Sequence, residues 1–304
     1  MKRLLVLRLS ALGDVIHTIP AVVALRDAYR IQWVVEAPYR ELVELVAGVE
    51  TIPMRMKAWG RAPLASRAAM RDAWRTLRGA DASIDFQGLV KSAMLGRFAG
   101  ARERYGFAAN AIREKPALLF TNRKVAVDTT RHVIEQNRAL AAALAPAGKA
   151  VPSWDAFPRN DNLDAFADAI VLLPGAGKPS KLWPVERFRE LARRLGERVL
   201  VVWGPGERER AEAIGARLAP PTGLRELAWL LQHARLVIGG DTGPLHLAAA
   251  LGTKVIGLYG PTDPRRNGPY GQLGHCVDHF GSTKSMDAIA VEEVMQLVER
   301  VAAE

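Results

Sequence analysis

The chain has 304 residues, a length typical of two domains of about 150 residues each. Apolar residues make up 49% of it, yet no run approaches the ~18 consecutive apolar residues of a membrane-spanning helix. The single cysteine, Cys276, excludes an internal disulfide and a cluster of cysteine metal ligands. The first residues lack the pattern of a signal peptide, and we therefore expect a cytoplasmic protein.

The formal net charge of +10 is unevenly distributed. Residues 1–150 hold 24 Lys and Arg against 13 Asp and Glu, whereas residues 151–304 hold 18 against 19. The basic half favours contact with a polyanion, such as nucleic acid, an anionic membrane surface or a phosphorylated substrate. A basic surface that serves only solubility is the alternative.

Buried strands alternate with helices in the first half, which predicts a parallel sheet covered on both faces. The predicted strands span 4–9, 31–35 and 82–85, and the predicted helices span 15–28, 39–46, 64–77, 88–98 and 132–143.

Residues 146–161 are rich in proline and lack periodicity, which predicts a linker. The alternation then resumes, with strands at 170–173, 199–203, 236–239 and 255–259 and helices at 184–195, 207–218, 224–232, 244–250 and 291–303. We therefore expect an α/β protein of two Rossmann-like, doubly wound parallel-sheet domains, 1–150 and 151–304, that face each other across a cleft. Neither half has a GxGxxG or GxxxxGK[ST] motif, which disfavours an NAD-dependent dehydrogenase and a P-loop NTPase.

The segment LVLRLSALGDVIHTIP, residues 5–20, predicts a strand, a tight loop and a helix. A dinucleotide-binding loop at this place would contain several glycines, but here Gly13 stands alone beside Asp14. A carboxylate would repel a phosphate. Asp14 either caps the following helix or takes part in chemistry that does not place a phosphate here.

Two turns in the second half suit phosphate groups. In GGDTGPLHL, Asp241 or Thr242 is the predicted N-cap of a helix whose N-terminus can bind an anion; an ordinary capped helix is the alternative. In PGAGKPSKLWP, a glycine loop precedes Lys178 and Lys181, a combination suited to a diphosphate leaving group. Solvated lysines are the alternative there.

A third turn, WGPGERERAEAI, offers Glu207 and Glu209 as acceptors for ribose hydroxyls. Either residue could instead be an ordinary acid in the first turn of a helix. The sequence has no HExxH, DxD or GxSxG motif, so we expect neither a metal site nor a serine nucleophile. His246 is expected to be packed in the core and not to be catalytic.

The positive charge of the first half forms two groups. The first contains Arg55, Lys57, Arg61, Arg67, Arg71, Arg75 and Arg78, the last four at helical spacing; the second contains Arg102, Arg104, Arg113, Lys115, Arg123 and Lys124. Both suit a phosphorylated glycolipid head group at an anionic membrane surface. Nucleic acid is disfavoured because few aromatic residues accompany these cations.

Four motifs in order, LRLSALGDVIHTIP, DFQGLVKS, PGAGKPSKLWP and GDTGPLHLAAALGTKVIGLYGPTDP, resemble the ADP-heptose:lipopolysaccharide heptosyltransferases of glycosyltransferase family 9. The resemblance extends over nearly the whole chain. The segments EKPALLFTNRK and RHVIEQNRAL are most similar to the heptosyltransferase I group, which adds the first heptose to the Kdo region of lipid A.

The resemblance implies a GT-B fold and an inverting transfer that needs no metal and no cofactor, at the cytoplasmic face of the inner membrane. It implies that Asp14 is the general base, since an acceptor hydroxyl needs one. The donor-binding residues expected are Gly175, Gly177, Lys181, Glu207, Asp241, Thr242 and Gly243. The acceptor-binding residues expected are Ser10, Gly13, Lys57, Arg61, Gln87, Lys91, Arg123 and His132. The partners implied are ADP-heptose, Kdo-lipid A and the anionic membrane surface.

Other functions stay open at this point. They are a heptosyltransferase II or another family 9 transferase with a different core acceptor, a nucleotide-sugar epimerase, and a non-enzymatic anion-binding protein. An epimerase has no need of a large basic acceptor surface, and a binding protein leaves Asp14 and the two phosphate-suited turns without a purpose.

Overall fold

The computed structural model of the chain describes residues 1–62, 64–145 and 163–304, with the side chain of Lys57 excepted. The chain folds as two compact units, residues 1–156 and 157–304, called here the first and the second unit. The predicted linker, 146–161, lies outside the described residues. No helix in the described ranges is long and apolar enough to cross a membrane.

The first unit contains one parallel sheet with strand order β3-β2-β1-β4-β5-β6. Its strands are β1 Lys2–Leu7, β2 Tyr29–Glu36, β3 Val49–Met54, β4 Ala82–Asp85, β5 Glu103–Phe107 and β6 Arg123–Val125. Its helices are α1 Leu12–Ile16, α2 Ile19–Val23, α3 Arg40–Val43, α4 Met56–Arg61, α5 Arg67–Leu77, α6 Val90–Phe98 and α7 Val133–Ala142.

Both faces of this sheet are buried, as the apolar strands predict. Leu4 and Val6 of β1 point into one apolar cluster, and the alternate residues Leu5 and Leu7 point into another. Leu7, the last residue of β1, lies opposite Val34 of β2 and Asp85 of β4. The carboxyl ends of the central strands therefore meet where Asp85 stands.

The second unit contains a parallel sheet with strand order β12-β11-β10-β7-β8-β9. Its strands are β7 Ile170–Leu173, β8 Val199–Val201, β9 Arg217–Leu218, β10 Leu236–Gly240, β11 Val255–Tyr259 and β12 Cys276–Asp278. Its helices are α8 Val185–Leu195, α9 Arg208–Glu212, α10 Leu224–Gln232, α11 Gly243–Ala250, α12 Pro264–Asn267 and α13 Val291–Ala303.

Each unit has the strand order of a doubly wound fold, which confirms the predicted fold class. In each, the order reverses between the first and the fourth strand: β1 and β4 in the first unit, β7 and β10 in the second. Ligands of such sheets bind at the carboxyl ends of the strands at this switch point.

Several predicted bounds are wrong. The helix predicted at 15–28 is two short helices, α1 and α2, and it begins at Leu12. The helix predicted at 207–218 ends at Glu212, because Gly215 has a φ of 76° and the chain continues into β9. The strands β3, β5, β6, β9 and β12 were not predicted; β3, β6, β9 and β12 are edge strands, and β5 lies next to an edge.

Candidate active site

Asp14 lies in the first turn of α1, directly after the loop that follows β1. The N-cap of α1 is Ala11, which has no side-chain acceptor, so the interpretation of Asp14 as a helix cap is wrong. The Asp14 carboxylate is turned instead toward two arginines. Its side chain is 25% exposed, so it is not sealed from solvent.

Arg8 and Arg113 both contact the Asp14 carboxylate. The Nη2 atom of Arg8 lies 2.7 Å from Oδ1, and the Nη2 atom of Arg113 lies 3.2 Å from both oxygens. Arg8 is 2% exposed, and burial lowers its pKa while the charge of Asp14 opposes that shift. Neither arginine was predicted as a partner of Asp14; an arginine at the end of a buried apolar strand is the signal that could have identified Arg8.

The backbone of α1 is also fixed. The Thr18 hydroxyl donates a hydrogen bond to the Asp14 carbonyl at 2.8 Å. From α7, the amide of Asn137 donates to the His17 carbonyl at 3.0 Å. His132 is the N-cap of α7, and its ring lies edge-on to that of His17 with 5.6 Å between the centroids. The predicted residue His132 therefore packs against His17, the C-cap of α1, and no contact of His132 with Asp14 is seen among the described residues.

The motif DFQGLVKS forms the turn after β4. Asp85 is 2% exposed, and burial raises its pKa to about 6, with hydrogen bonds from Gln87 and Gly88 acting in the opposite direction. Gln87 is also buried, and its Oε1 accepts a hydrogen bond from the Leu9 N–H at 2.8 Å. Lys91, on α6, is exposed. The structure therefore links Gln87 to the loop after β1 through Leu9. Lys91 is the residue of this motif whose charge is exposed to solvent.

The other predicted acceptor residues are more scattered. Ser10 and Gly13 are half-buried in the loop beside Asp14. Arg61 is exposed at the end of α4, and the side chain of Lys57 lies outside the described residues. Arg123 bonds to Glu103, the first residue of β5, at 2.9 Å, so the structure places it toward the amino ends of the strands and not beside Asp14.

The predicted arginine face is present on α5, where Arg67, Arg71 and Arg75 are exposed. Arg78 lies outside the helix, as its C-cap residue. Arg75 has Asp72 at 3.7 Å, a separation that leaves its charge weakly compensated.

In the second unit, Asp241 follows β10 directly and contacts three side chains. Its Oδ2 lies 2.5 Å from the Nζ of Lys181, and its Oδ1 accepts from His246 at 2.9 Å and from Asn267 at 2.8 Å. Burial opposes the ionisation of Asp241, yet its bonds with His246 and Lys181 hold its pKa below the ordinary value. Asp241 is therefore a fixed, ionised acceptor at neutral pH.

Thr242 is the N-cap of α11, as one of the two alternatives predicted, but its side chain makes no capping bond. Within the described residues its buried Oγ1 has no hydrogen-bond partner. Gly243 and Pro244 open the helix. The first N–H groups of α11 are thus available to an anion, since no side chain caps them.

The loop after β7 and the turn after β8 meet at Gly175. A Cβ atom on Gly175 would lie 2.1 Å from the carboxylate of Glu207, whereas one on Gly177 would meet nothing within 4 Å. Glu207 Oε2 accepts a hydrogen bond from the Gly204 N–H at 2.8 Å. Glu209 is exposed on α9. Of the two acids predicted for ribose, Glu207 is the one beside the glycine loop.

Among residues 1–62, 64–145 and 163–304, no group of three or more His, Cys, Asp and Glu side chains is arranged to hold a metal ion. That transfer needs no metal stays a prediction.

Comparisons with known proteins agree over the length of the chain. The model of glycosyltransferase family 9 (heptosyltransferase) matches residues 70–295. Lipopolysaccharide heptosyltransferase 1 of Escherichia coli K12 is 36% identical over 293 residues, covering 89% of this chain and 91% of the relative. The protein of the same name from Pseudomonas aeruginosa is 35% identical over 304 residues, covering 89% and 82%.

Solved structures extend the agreement to the fold. The E. coli heptosyltransferase WaaC with ADP matches with a TM-score of 0.86 and 30% identity, over 98% of this chain and 99% of WaaC. WaaC with ADP-2-deoxy-2-fluoro heptose matches with a TM-score of 0.83 and 31% identity, over 98% and 99%. The family indicated by the four motifs is confirmed: the chain belongs to glycosyltransferase family 9, the heptosyltransferases.

Proposed function

We propose that this protein transfers L-glycero-D-manno-heptose from ADP-heptose to the Kdo region of lipid A, in the synthesis of the lipopolysaccharide inner core. The observation that carries the proposal is Asp14: a part-exposed carboxylate that caps no helix and is oriented by two arginines at the switch point of the first unit. Membership of family 9 supplies the reaction class, and the similarity to the heptosyltransferase 1 proteins supports the acceptor.

In the proposed reaction, Asp14 accepts the proton of an acceptor hydroxyl as that oxygen attacks the anomeric carbon of the heptose. The bond between the anomeric carbon and the phosphate oxygen breaks, ADP leaves with the electron pair, and the configuration inverts. A hydroxyl is a poor nucleophile near neutral pH, so a base within hydrogen-bond reach contributes about 10²–10⁴ to the rate.

The second unit binds the donor in this proposal. The N–H groups at Thr242 and Gly243 and the charge of Lys181 oppose the negative charge that develops on the leaving diphosphate. Asp241 accepts hydrogen bonds from heptose hydroxyls, and Glu207 accepts them from the ribose. The ion pair of Lys181 with Asp241 supports this assignment, because it holds a cation and a hydrogen-bond acceptor side by side at the carboxyl end of β10.

The first unit binds the acceptor. The exposed arginines of α5, with Arg61 and Lys91, suit the phosphate and carboxylate groups of a glycolipid head and the anionic surface in which it lies. In this proposal the protein works as a peripheral protein at the cytoplasmic face of the inner membrane.

The proposal is tested by incubating the protein with ADP-heptose and Kdo-lipid A and following the products by mass spectrometry. Addition of one heptose together with release of ADP is expected. A parallel reaction with an acceptor that already carries the first heptose tests heptosyltransferase II activity, and ADP-heptose alone tests epimerase activity. Transfer to neither acceptor would contradict the proposal.

A further inference from the structure

The turn after β4 is built around the carboxylate of Asp85, which has no role in the proposed transfer. Its Oδ1 accepts hydrogen bonds from the N–H groups of Gln87 and Gly88, at 2.9 and 3.1 Å, and its Oδ2 accepts one from the Ser92 hydroxyl at 3.0 Å. A buried carboxylate with three donors is held in one position. Asp85 therefore fixes the conformation of the turn.

Hydrogen bonds join this turn to the end of β1, which a short loop connects to the helix that carries Asp14. The Phe86 N–H donates to the Leu7 carbonyl at 3.1 Å, and the Leu9 N–H donates to Gln87 Oε1 at 2.8 Å. Between them, Arg8 Nη1 donates to the Phe86 carbonyl at 2.5 Å. The position of the Arg8 guanidinium is thus set by the turn that Asp85 holds.

Arg8 also connects two carboxylates electrostatically. It contacts Asp14 at 2.7 Å, and the charges of both Asp14 and Asp85 favour its protonated form against the effect of burial. A buried cation needs negative charge nearby, and here two carboxylates share that role. If Asp85 lost its charge, Asp14 alone would compensate Arg8 and would bind the proton of an acceptor hydroxyl less strongly.

We propose that Asp85 is a positioning residue for transfer: it orients Arg8 through the β4 turn and shares the charge of that guanidinium, which keeps Asp14 available to the acceptor proton. This inference rests on the proposed function, in which Asp14 is the base. Gln87, in the same inference, acts on the β1 end through Leu9 and does not contact the acceptor.

The arrangement predicts a pH dependence. The charged groups that face this point are Arg8 from the loop directly after β1, Asp14 from α1, and Arg113 and Glu114 from the segment before β6. Glu114 accepts a hydrogen bond from the Val90 N–H at 2.7 Å. Since the pKa of Asp85 is raised to about 6, Asp85 takes up a proton as the pH falls through that value. The rate of transfer is then expected to fall in the same range.

The test is the pH profile of kcat with saturating ADP-heptose and Kdo-lipid A. We expect Asp85→Asn to lower kcat at about pH 8 by roughly tenfold, to lose the acid limb near pH 6, and to bind ADP as the wild type does. Asp81→Asn is the matched control, because Asp81 bonds to the Arg3 N–H at 2.8 Å and joins the same two strands at their other ends. It should keep the wild-type kcat and pH profile.

Ser92→Ala gives a second test that does not depend on the folding of Asp85→Asn. The Ser92 hydroxyl lowers the pKa of Asp85, so its removal should move the acid limb upward by roughly 0.5–1 pH unit, the effect of about one hydrogen bond. The kcat at high pH should not change, because the charge of Asp85 is still present there.

Three results would overturn the inference. The first is a wild-type kcat and acid limb in Asp85→Asn, and the second is an unmoved acid limb in Ser92→Ala. The third is a raised KM for Kdo-lipid A with unchanged kcat in Asp85→Asn, which would make the turn a binding element. The proposed function fails separately. If Asp14→Asn transfers heptose at the wild-type rate, Asp14 is not the base; if only the Asp85 and Ser92 variants behave as wild type, the base is unaffected and the inference alone is wrong.

Discussion

The two units carry a buried aspartate at the same place, with opposite electrostatic consequences. Asp85 ends β4 and Asp241 follows β10, and these are the fourth strands of their units. Each has a cation supplied by the segment at or after the end of the first strand: Arg8 near Asp85, and Lys181 beside Asp241. Yet burial raises the pKa of Asp85, whereas the pKa of Asp241 is lowered.

The difference has two causes: the cation near Asp85 is bonded to another carboxylate, and Asp241 has stronger donors of its own. In the first unit the cation is bonded to Asp14, so Asp85 receives only part of its charge. In the second unit Lys181 bonds to Asp241 directly, and His246 and Asn267 add two more donors. In this account the first unit offers Asp14 as a proton acceptor, and the second unit offers Lys181 as a cation beside the acceptor Asp241. Transfer from a diphosphate donor to a hydroxyl requires both.

The largest effect is expected from Asp14→Asn, which removes the carboxylate that distinguishes the first unit. Asparagine cannot accept the acceptor proton, so kcat should fall by about 10²–10⁴, measured as ADP release with Kdo-lipid A present. A fall in the melting temperature is also expected, because the buried Arg8 loses one of its two carboxylate partners and keeps only Asp85.

The circular dichroism spectrum and the melting temperature report whether the Asp14→Asn variant is folded, since ADP binding is assigned to the second unit. Asp81→Asn serves as the matched control. A transfer rate close to that of the wild type would show that the base lies elsewhere.

Lys181→Ala tests the cation of the second unit. If Lys181 opposes the charge of the leaving diphosphate, its loss should lower the transfer rate by about 10². Lys178→Ala is the matched control, since Lys178 lies in the same loop and no bond to Asp241 is seen for it among the described residues. A normal rate in Lys181→Ala would leave the lysine no part in the reaction.

The basic surface of the first unit should matter for the acceptor alone. Replacing Arg61, Arg67 and Arg71 together by alanine should raise the KM for Kdo-lipid A by roughly tenfold and weaken its salt dependence. The KM for ADP-heptose should not change. An equal loss for both substrates would assign these arginines to the stability of the fold.

The smallest effect is expected from removal of metal ions. Lys181 and the start of α11 supply the positive potential for the diphosphate in this account. Transfer by the metal-free protein in excess EDTA should therefore match that of the untreated protein. A strict requirement for added magnesium would contradict this part of the account.

The sequence predicts the long, apolar elements well. The strand β7 and the helices α10 and α13 have the predicted bounds, because each carries a clear period or a continuous apolar run. The short strands β6, with sequence RKV, and β12, with sequence CVD, carry no such run. Their position depends on pairing with a neighbouring strand, which local sequence does not encode.

In the candidate site, too, residues with a local sequence signal could be predicted, and contacts between distant segments could not. Asp14, Asp241 and Thr242 could be identified from turns that interrupt apolar runs at strand ends. The contact of Arg113 with Asp14 joins residues 99 positions apart, and those of Lys181 and Asn267 with Asp241 join segments 60 and 26 positions apart. Such contacts arise from the packing of the fold, and no local pattern predicts them.

The central claim is that Asp14 acts on the acceptor and Asp241 binds the donor. It is tested most directly by the affinity for ADP-heptose of Asp14→Asn and Asp241→Asn, measured by calorimetry without acceptor. The account predicts a wild-type Kd for Asp14→Asn and a Kd weaker by about tenfold for Asp241→Asn, the loss of roughly one charge-assisted hydrogen bond. A wild-type Kd for Asp241→Asn together with a weakened one for Asp14→Asn would contradict it.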